Sequence, residues 1–404
     1  MLYIIIMELK FNIAIVGSGL TGSITSLALA KAGYKVALID PKSFEEFKEN
    51  NYDTRTTALS KKSKLFFEYL NLWQHMKPFT CMIKNIMVND GNYEKNIYFN
   101  KTQKKKSNPL GFMIRNKDLF TILIDVIKKN KNISKFDNKV NIFSRDQENV
   151  TIKLDDKRII TSHLLIAADG KNSFIRKKSG IKTSKKSYNQ KAFIFNVKHT
   201  KSHNNLATEN FLKHGPLASL PIIQNKSNCY SSIVWSCNHP FYYKMIKYTK
   251  KDIERELNFY LSEYYGKLTI ITKVKSWDLN LVKAQKFFDT RILLLGDAAH
   301  SIHPLAGQGL NLTLKGIETL YKLAKNNKIK VDIGSDKILN AFSKKQYLNS
   351  TAIIFATDKL NFLFSNSNFF LKKTREIGLY VFKRSNILKN IFKNYASEGK
   401  LSIK

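Results

Sequence analysis

Residues 12–40 read NIAIVGSGLTGSITSLALAKAGYKVALID, an apolar run broken by Gly17, Gly19 and Gly22 and then resumed at helical spacing. The pattern predicts strand, tight turn, helix, strand. Gly17 makes the turn, Gly19 lets backbone N–H groups approach a pyrophosphate, and Gly22 lets the helix pack closely on the strand. Unpaired N–H groups and the helix dipole favour an anion at that helix start. Asp40 ends the second strand roughly 20 residues beyond the glycines, where a carboxylate can accept hydrogen bonds from ribose hydroxyls. A chance GxGxxG would lack the strand, the helix and the terminal acid, so these residues read as a dinucleotide-binding unit.

The chain has 404 residues, enough for a large core arranged as two or three domains or as one interleaved unit. Cys81, Cys229 and Cys237 form no CxxC pair, and no histidine stands at zinc-ligand spacing from them, so neither a disulfide framework nor a metal site is expected. A reducing cytosol fits that usage. The formal charge of +37 suggests nucleic acid or an anionic membrane as partner, but the lysines are spread throughout and rise together with asparagine and isoleucine. Compositional drift accounts for that distribution, and without an RRM, KH, helix-turn-helix or zinc-finger pattern nucleic acid is not the expected partner. No run reaches the ~20 apolar residues of a membrane-spanning helix, which predicts a soluble or peripheral protein. The opening MLYIII lacks a basic n-region and a cleavage site, so it is not a secretory signal, and Met7 is a second candidate start.

Beyond Asp40, PKSFEEFKENNYD reads as a loop, and TRTTALSKKSKLFFEYLNLW reads as helical from the spacing of Leu59, Phe66, Phe67, Leu70 and Leu72, with Arg55 just before it. Residues 81–99 alternate as strands do, and FMIRNKDLFTILIDVIKK reads as an amphipathic helix capped by Asn116. Strand patterns fill residues 134–166 and end at Asp169-Gly170. Residues 188–277 are rich in β-branched and aromatic residues, as expected of a mostly antiparallel second sheet. RILLLGDAAHSIHPLAGQGLNL then predicts strand, Gly/Pro-rich loop and helix, and the chain from Lys337 is helical in pattern.

The glycine-rich turn, the Asp169-Gly170 pair and the Gly296-Asp297 pair each follow a strand, in that order. Together with YDTRTTALS and the NLW after it, LGFMIRNKDL, LIAADGKNSFIR, NLATENFLKHGPLASLP and the IVW after it, GDAAHSIHPLAGQGLNL, and ATDKLNFLFSN, they make the chain resemble the ubiquinone-biosynthesis ring hydroxylases. That family of FAD-dependent monooxygenases is related in fold to para-hydroxybenzoate hydroxylase. The resemblance implies an α/β chain with a Rossmann-like FAD-binding domain (residues 7–75, 105–185 and 280–330), an interleaved, mostly antiparallel β-sheet substrate domain (76–104 and 186–279) and a C-terminal helical region (331–404).

It also implies sites. FAD pyrophosphate falls on Gly17, Gly19 and Gly22, adenosine ribose on Asp40, and flavin-side contacts on Arg55. Gly296 and Asp297 reach ribitol or pyrophosphate oxygens, Asp169 shapes the site and contacts shared with the nicotinamide cofactor, and residues 306–311, with Gly307, Gly309 and Asn311, lie along the isoalloxazine. A helix start aimed at the N1–C2=O edge suits the negative charge of reduced flavin. The chain departs from the family at Thr313-Leu314-Lys315-Gly316, commonly Gly-Leu-Arg-Asp, and at Asn210, commonly Arg. His300 and His303 lack a third ligand and read as structural. Phe193, Phe195, Phe211, Tyr230 and Trp235 are candidates for an aromatic substrate pocket, although alternation makes half of any such set core.

The implied reaction is hydroxylation of a polyprenylated phenol with NADH or NADPH and O2 through a flavin C4a-hydroperoxide, with no catalytic base singled out. A substrate with such a tail implies work at the inner face of the cytoplasmic membrane, alongside other ubiquinone-biosynthesis proteins. The basic, apolar-interleaved stretch FFLKKTREIGLYVFKRSNILKNIFKNY is the candidate membrane contact. The alternatives are a hydroxylase of a soluble aromatic acid and a non-catalytic flavin-binding component of a membrane-surface complex.

Overall fold

A computed structural model describes residues 8–49, 53–89, 96–99, 109–225, 228–302, 307–325 and 332–365. Strand β1 (Glu8–Val16), helix α1 (Leu20–Lys31) and strand β2 (Val36–Ile39) form the expected opening unit. β1 pairs in parallel with β2 on one side and with Ile159–Ala167 on the other, and Ile133–Phe136 and Ile292–Leu294 extend the sheet in parallel at either side. Residues 36–39 are buried without exception, as in a parallel strand covered on both faces. Helix α1 packs against the helices Asn116–Lys128 and Gln308–Lys325, and its own residues 22–30 are all buried.

Among the described residues a second sheet has nine strands, with Thr183–His199 near its centre between Lys275–Ala284 and Asn228–Asn238. Gly215–Asn225, Leu206–Leu212, Asn85–Asn89 and Ile97–Phe99 continue it, and the one parallel pair along that path among the described residues joins Leu206–Leu212 to Asn85–Asn89. One face buries Phe193, Phe195, Val197, Leu217, Ile233 and Trp235 under the helices His239–Met245 and Lys250–Tyr265. The other face carries Ala207 and Leu220 toward Cys81, Ile83, Leu110 and Met113, which belong to or border a third, three-stranded sheet.

Several local expectations give way to tertiary structure. Thr56–Ser60 is a strand and not the start of a helix: it pairs antiparallel with Gly111–Arg115, and the helix begins only at Lys61, capped by the Ser60 hydroxyl. Phe44–Glu49, expected as loop, is a short helix whose Phe44 is buried and whose Phe47 stacks on Phe120. The helix after Gly111–Arg115 starts at Asn116 itself, and no side chain caps it; the Asn116 carboxamide oxygen accepts from the Thr57 hydroxyl at 2.7 Å instead. Phe193, Phe195 and Trp235 belong to the helix-covered core, on the face away from the small sheet. The proposed membrane-contact stretch, His303 and residue 306 lie outside the described residues.

Candidate active site

The first turn is built by close approach. Gly17 has φ near +100°, and a Cβ there would lie 2.4 Å from the Ala168 carbonyl oxygen; a Cβ at Gly22 would lie 1.8 Å from the Gly17 oxygen. Around Gly19 the space is open. Among the described residues no side chain caps α1 and no acid stands in its first turn, so no side chain of its own takes up its leading N–H groups. Asp40 stands across the turn, accepting from the Ser18 N–H at 2.7 Å with one oxygen and from the Lys42 N–H at 2.9 Å with the other. The carboxylate therefore holds the turn in shape from the end of β2.

Two later loops close on the same place. After Ile159–Ala167, Asp169 accepts from the Ile175 N–H at 3.1 Å, while its second oxygen is buried without a protein partner among the described residues. After Ile292–Leu294, a Cβ at Gly296 would sit 2.5 Å from the Thr21 hydroxyl, which brings this loop onto the first turn of α1. Asp297 opens toward solvent on that loop, yet protein crowds round it: burial raises its carboxyl affinity for a proton, opposed by Arg55 and then Lys171. Arg55 is held as a fork on Asp53, with both bonds at 2.8 Å.

The turn into Gln308–Lys325 supplies the last part. A Cβ at Gly307 would come within 2.9 Å of the Ala58 Cβ, whereas Gly309 faces open space. The Asn311 side chain is fully engaged with protein: it accepts from the Ser60 N–H and the Ser63 hydroxyl and donates to the Ala58 and Gly307 carbonyls. It braces the glycine turn against the strand Thr56–Ser60. His300 is buried, and burial pulls it down to about 4, so it is neutral at pH 7; its Nε2 lies 2.9 Å from the Gln346 amide nitrogen. Gln346 also fills the space beside Gly316, 3.2 Å from where a Cβ would be. Asn210 is buried, accepting from Asn89 at 2.6 Å and donating to the Leu217 carbonyl.

Arg176 was not anticipated. It is buried and donates to the Ala298 carbonyl at 2.7 Å and the Lys171 carbonyl at 2.8 Å, tying the Asp169 loop to the Asp297 loop. Its signal in the sequence is faint, an arginine in a basic segment beyond the Asp-Gly pair. The hydroxyls of Ser18, Thr54 and Thr56 are buried without protein partners among the described residues. Unfilled hydrogen-bonding capacity, an uncapped helix start and glycines in close approach suit a bound dinucleotide with an extended polar linker.

Residues 10–339 match the FAD binding domain family. The chain belongs to that family. It is 28% identical over 387 residues to the ubiquinone hydroxylase UbiL of Rhodospirillum rubrum, covering 95% of this chain and 89% of the relative. It is 26% identical to the mitochondrial ubiquinone biosynthesis monooxygenase COQ6 of Schizosaccharomyces pombe, over 98% of this chain and 93% of that one. Among solved structures it shares its fold with PqsL of Pseudomonas aeruginosa in complex with 2-aminobenzoylacetate, at a TM-score of 0.76 and 15% identity over 92% of this chain and all of that one.

Proposed function

We propose that this protein is an FAD-dependent monooxygenase that hydroxylates the aromatic ring of a polyprenylated phenol in ubiquinone biosynthesis, consuming O2 and NADH or NADPH. The observation that carries the reading is the meeting of the Gly17, Asp169, Gly296 and Gly307 turns around unfilled polar groups, in a chain similar along nearly its whole length to ubiquinone hydroxylases. FAD, when bound, supplies electron acceptance from the nicotinamide and activation of O2. The chain's own part is binding and orientation. Gly17, Gly19 and Gly22 receive the pyrophosphate, Asp40 the adenosine ribose, Gly296 and Asp297 the ribityl or pyrophosphate oxygens, and the start of Gln308–Lys325 at Gly307 and Gly309 the electron-rich edge of the flavin ring. Asn311 acts by bracing that start, Arg55 borders the flavin beside Asp297, and Asp169 borders the nicotinamide.

The parallel sheet and its helices serve as the FAD-binding unit and the nine-stranded sheet as the substrate unit, divided near residues 76–104 and 186–279. No helix among the described residues is long and apolar enough to cross a membrane. The +37 charge supports attraction to an anionic bilayer surface, where a prenyl-tailed substrate is held.

Protein purified with excess FAD is expected to retain close to one FAD per chain, and NADH or NADPH oxidation is expected to accelerate on addition of a prenylated phenol. Asp297→Ala should weaken FAD binding by about 1.5–3 kcal/mol for each charge-assisted hydrogen bond lost. Absence of bound flavin, or nicotinamide oxidation indifferent to the phenol, would overturn the reading.

A further inference from the structure

The face of the nine-stranded sheet opposite the aromatic core carries an acid in an unusual setting. Glu209 lies on Leu206–Leu212 between Val88 and Ala218 on the neighbouring strands. Alternation puts it on the side of Ala207, and Ala207 packs in the cluster with Ile83, Met113, Ala58 and Leu220. Ala58 is the residue that Gly307 approaches, so this face of the sheet is directed toward the glycine turn that starts Gln308–Lys325. Among the described residues the Glu209 carboxyl has no hydrogen-bond or ion-pair partner, and burial alone pushes it up to about 7.

Two further polar groups lie on the same face. Asn196 and Ser232 stand opposite each other on adjacent strands, and Ser232 is in turn opposite Leu220. Asn196 is 7% exposed and Ser232 fully buried, and the Asn196 side-chain Oδ1 and the Ser232 hydroxyl have no protein partner among the described residues. Glu209 stands among Ala207, Ala218 and Val88, with Ser232 two strands and Asn196 three strands away along the same face, so the face offers an acid and a separate polar pair to a ligand that is otherwise apolar.

We propose that Glu209 receives the phenolic hydroxyl of the substrate, accepting first its hydrogen bond and then its proton, with Ser232 and Asn196, two and three strands away, meeting a polar group farther along the ligand. The inference rests on the hydroxylase reading and adds to it the residue that activates the ring. In the step the phenol O–H bond breaks, its electron pair stays on the phenolate oxygen, and a new O–H bond forms on the carboxylate; nothing is oxidised or reduced. A phenolate is the more electron-rich ring, which favours attack by an electrophilic oxygen. The other titratable groups on the elements around this face are Cys81, whose thiol burial pushes up to about 11, Tyr230, Lys198 and Lys275, and Asp358, which is bonded to Tyr188 and Lys186.

The test uses the FAD-loaded protein without nicotinamide, titrated with 2-prenylphenol or its O-methyl ether and read by the change in flavin absorbance. Wild type is expected to bind the phenol at least about tenfold more tightly than the ether, because the ether leaves the acceptor unpaired. Glu209→Leu should abolish that preference with FAD affinity unchanged. Glu209→Gln, which keeps a hydrogen-bond acceptor and cannot take the proton, should lower kcat by about a hundredfold with little change in KM for the phenol. Retained preference in the Leu variant, retained kcat in the Gln variant, or equal binding of phenol and ether by wild type overturns the assignment of Glu209. A wild-type flavin spectrum that responds to neither compound overturns the hydroxylase reading instead.

Discussion

The two faces of the nine-stranded sheet share the same backbone ladder and differ only in which alternate residues each receives. On the helix-covered face, Phe193, Phe195, Trp235 and Tyr265 are buried together, and His199 bonds to the Lys201 carbonyl at 2.7 Å and the Ser231 hydroxyl at 3.0 Å. On the other face, Glu209, Asn196 and Ser232 keep polar atoms that no described protein group satisfies. Such groups cost stability in the free protein. The helix-covered face has such atoms too, in the Trp235 Nε1 and the Ser219 hydroxyl, so what sets the faces apart is that one is filled by aromatic packing and the other carries Glu209; substitutions in the first should move stability, and those at Glu209 activity.

Trp235→Ala should give the largest effect, a loss of about 3–5 kcal/mol in unfolding free energy from the cavity left under the helix Lys250–Tyr265, measured by denaturant titration of the FAD-loaded protein. A loss below 1 kcal/mol would erase the distinction between the faces.

Glu209→Gln should act the other way. The folded state holds the Glu209 proton more tightly than the unfolded chain, from 4.5 to about 7, so the contribution of this group to stability is fully present below 4.5 and is lost as pH rises through 7. The loss is on the order of 3 kcal/mol across that window. The variant lacks this slope, so it should match wild type near pH 4 and exceed it at pH 8, even as hydroxylation falls. Parallel stability curves for the two proteins would contradict the placement of Glu209.

Ser232→Ala should have the smallest effect on stability, within about 1 kcal/mol of wild type or slightly above it, because the hydroxyl removed has no protein partner among the described residues. Its KM for the phenol should rise. A clearly destabilised Ser232→Ala would move that serine to the structural side of the comparison.

The same contrast separates what was legible in the sequence from what was not. β1, α1 and β2 were readable because turn, helix start and terminal acid all fall within 29 residues, from Asn12 to Asp40, so local pattern and tertiary role coincide. Thr56–Ser60 was misread because a single buried Leu59 fits a helical run as well as a strand, and only the partner Gly111–Arg115, far along the chain, decides between them. Phe44–Glu49 looked like loop because only two of its residues are apolar, yet buried Phe44, together with Phe47 stacked on Phe120, anchors it. Asn116 resembled a cap, but the hydroxyl of Thr57, brought in by strand pairing, took its carboxamide oxygen. Glu209 left only the weak signal of an acid in the middle of a strand. The choice between solvent and an internal face depends on sheet stacking, which no local pattern records.

The central claim is ring hydroxylation with an oxygen atom taken from O2. It is tested most directly by incubating the FAD-loaded protein with NADH or NADPH and a prenylated phenol under ¹⁸O2, then measuring the product by mass spectrometry. The expected product is a hydroxylated ring carrying one heavy oxygen atom. A new oxygen derived from water, or no oxygenated product from a protein that binds FAD, would contradict it.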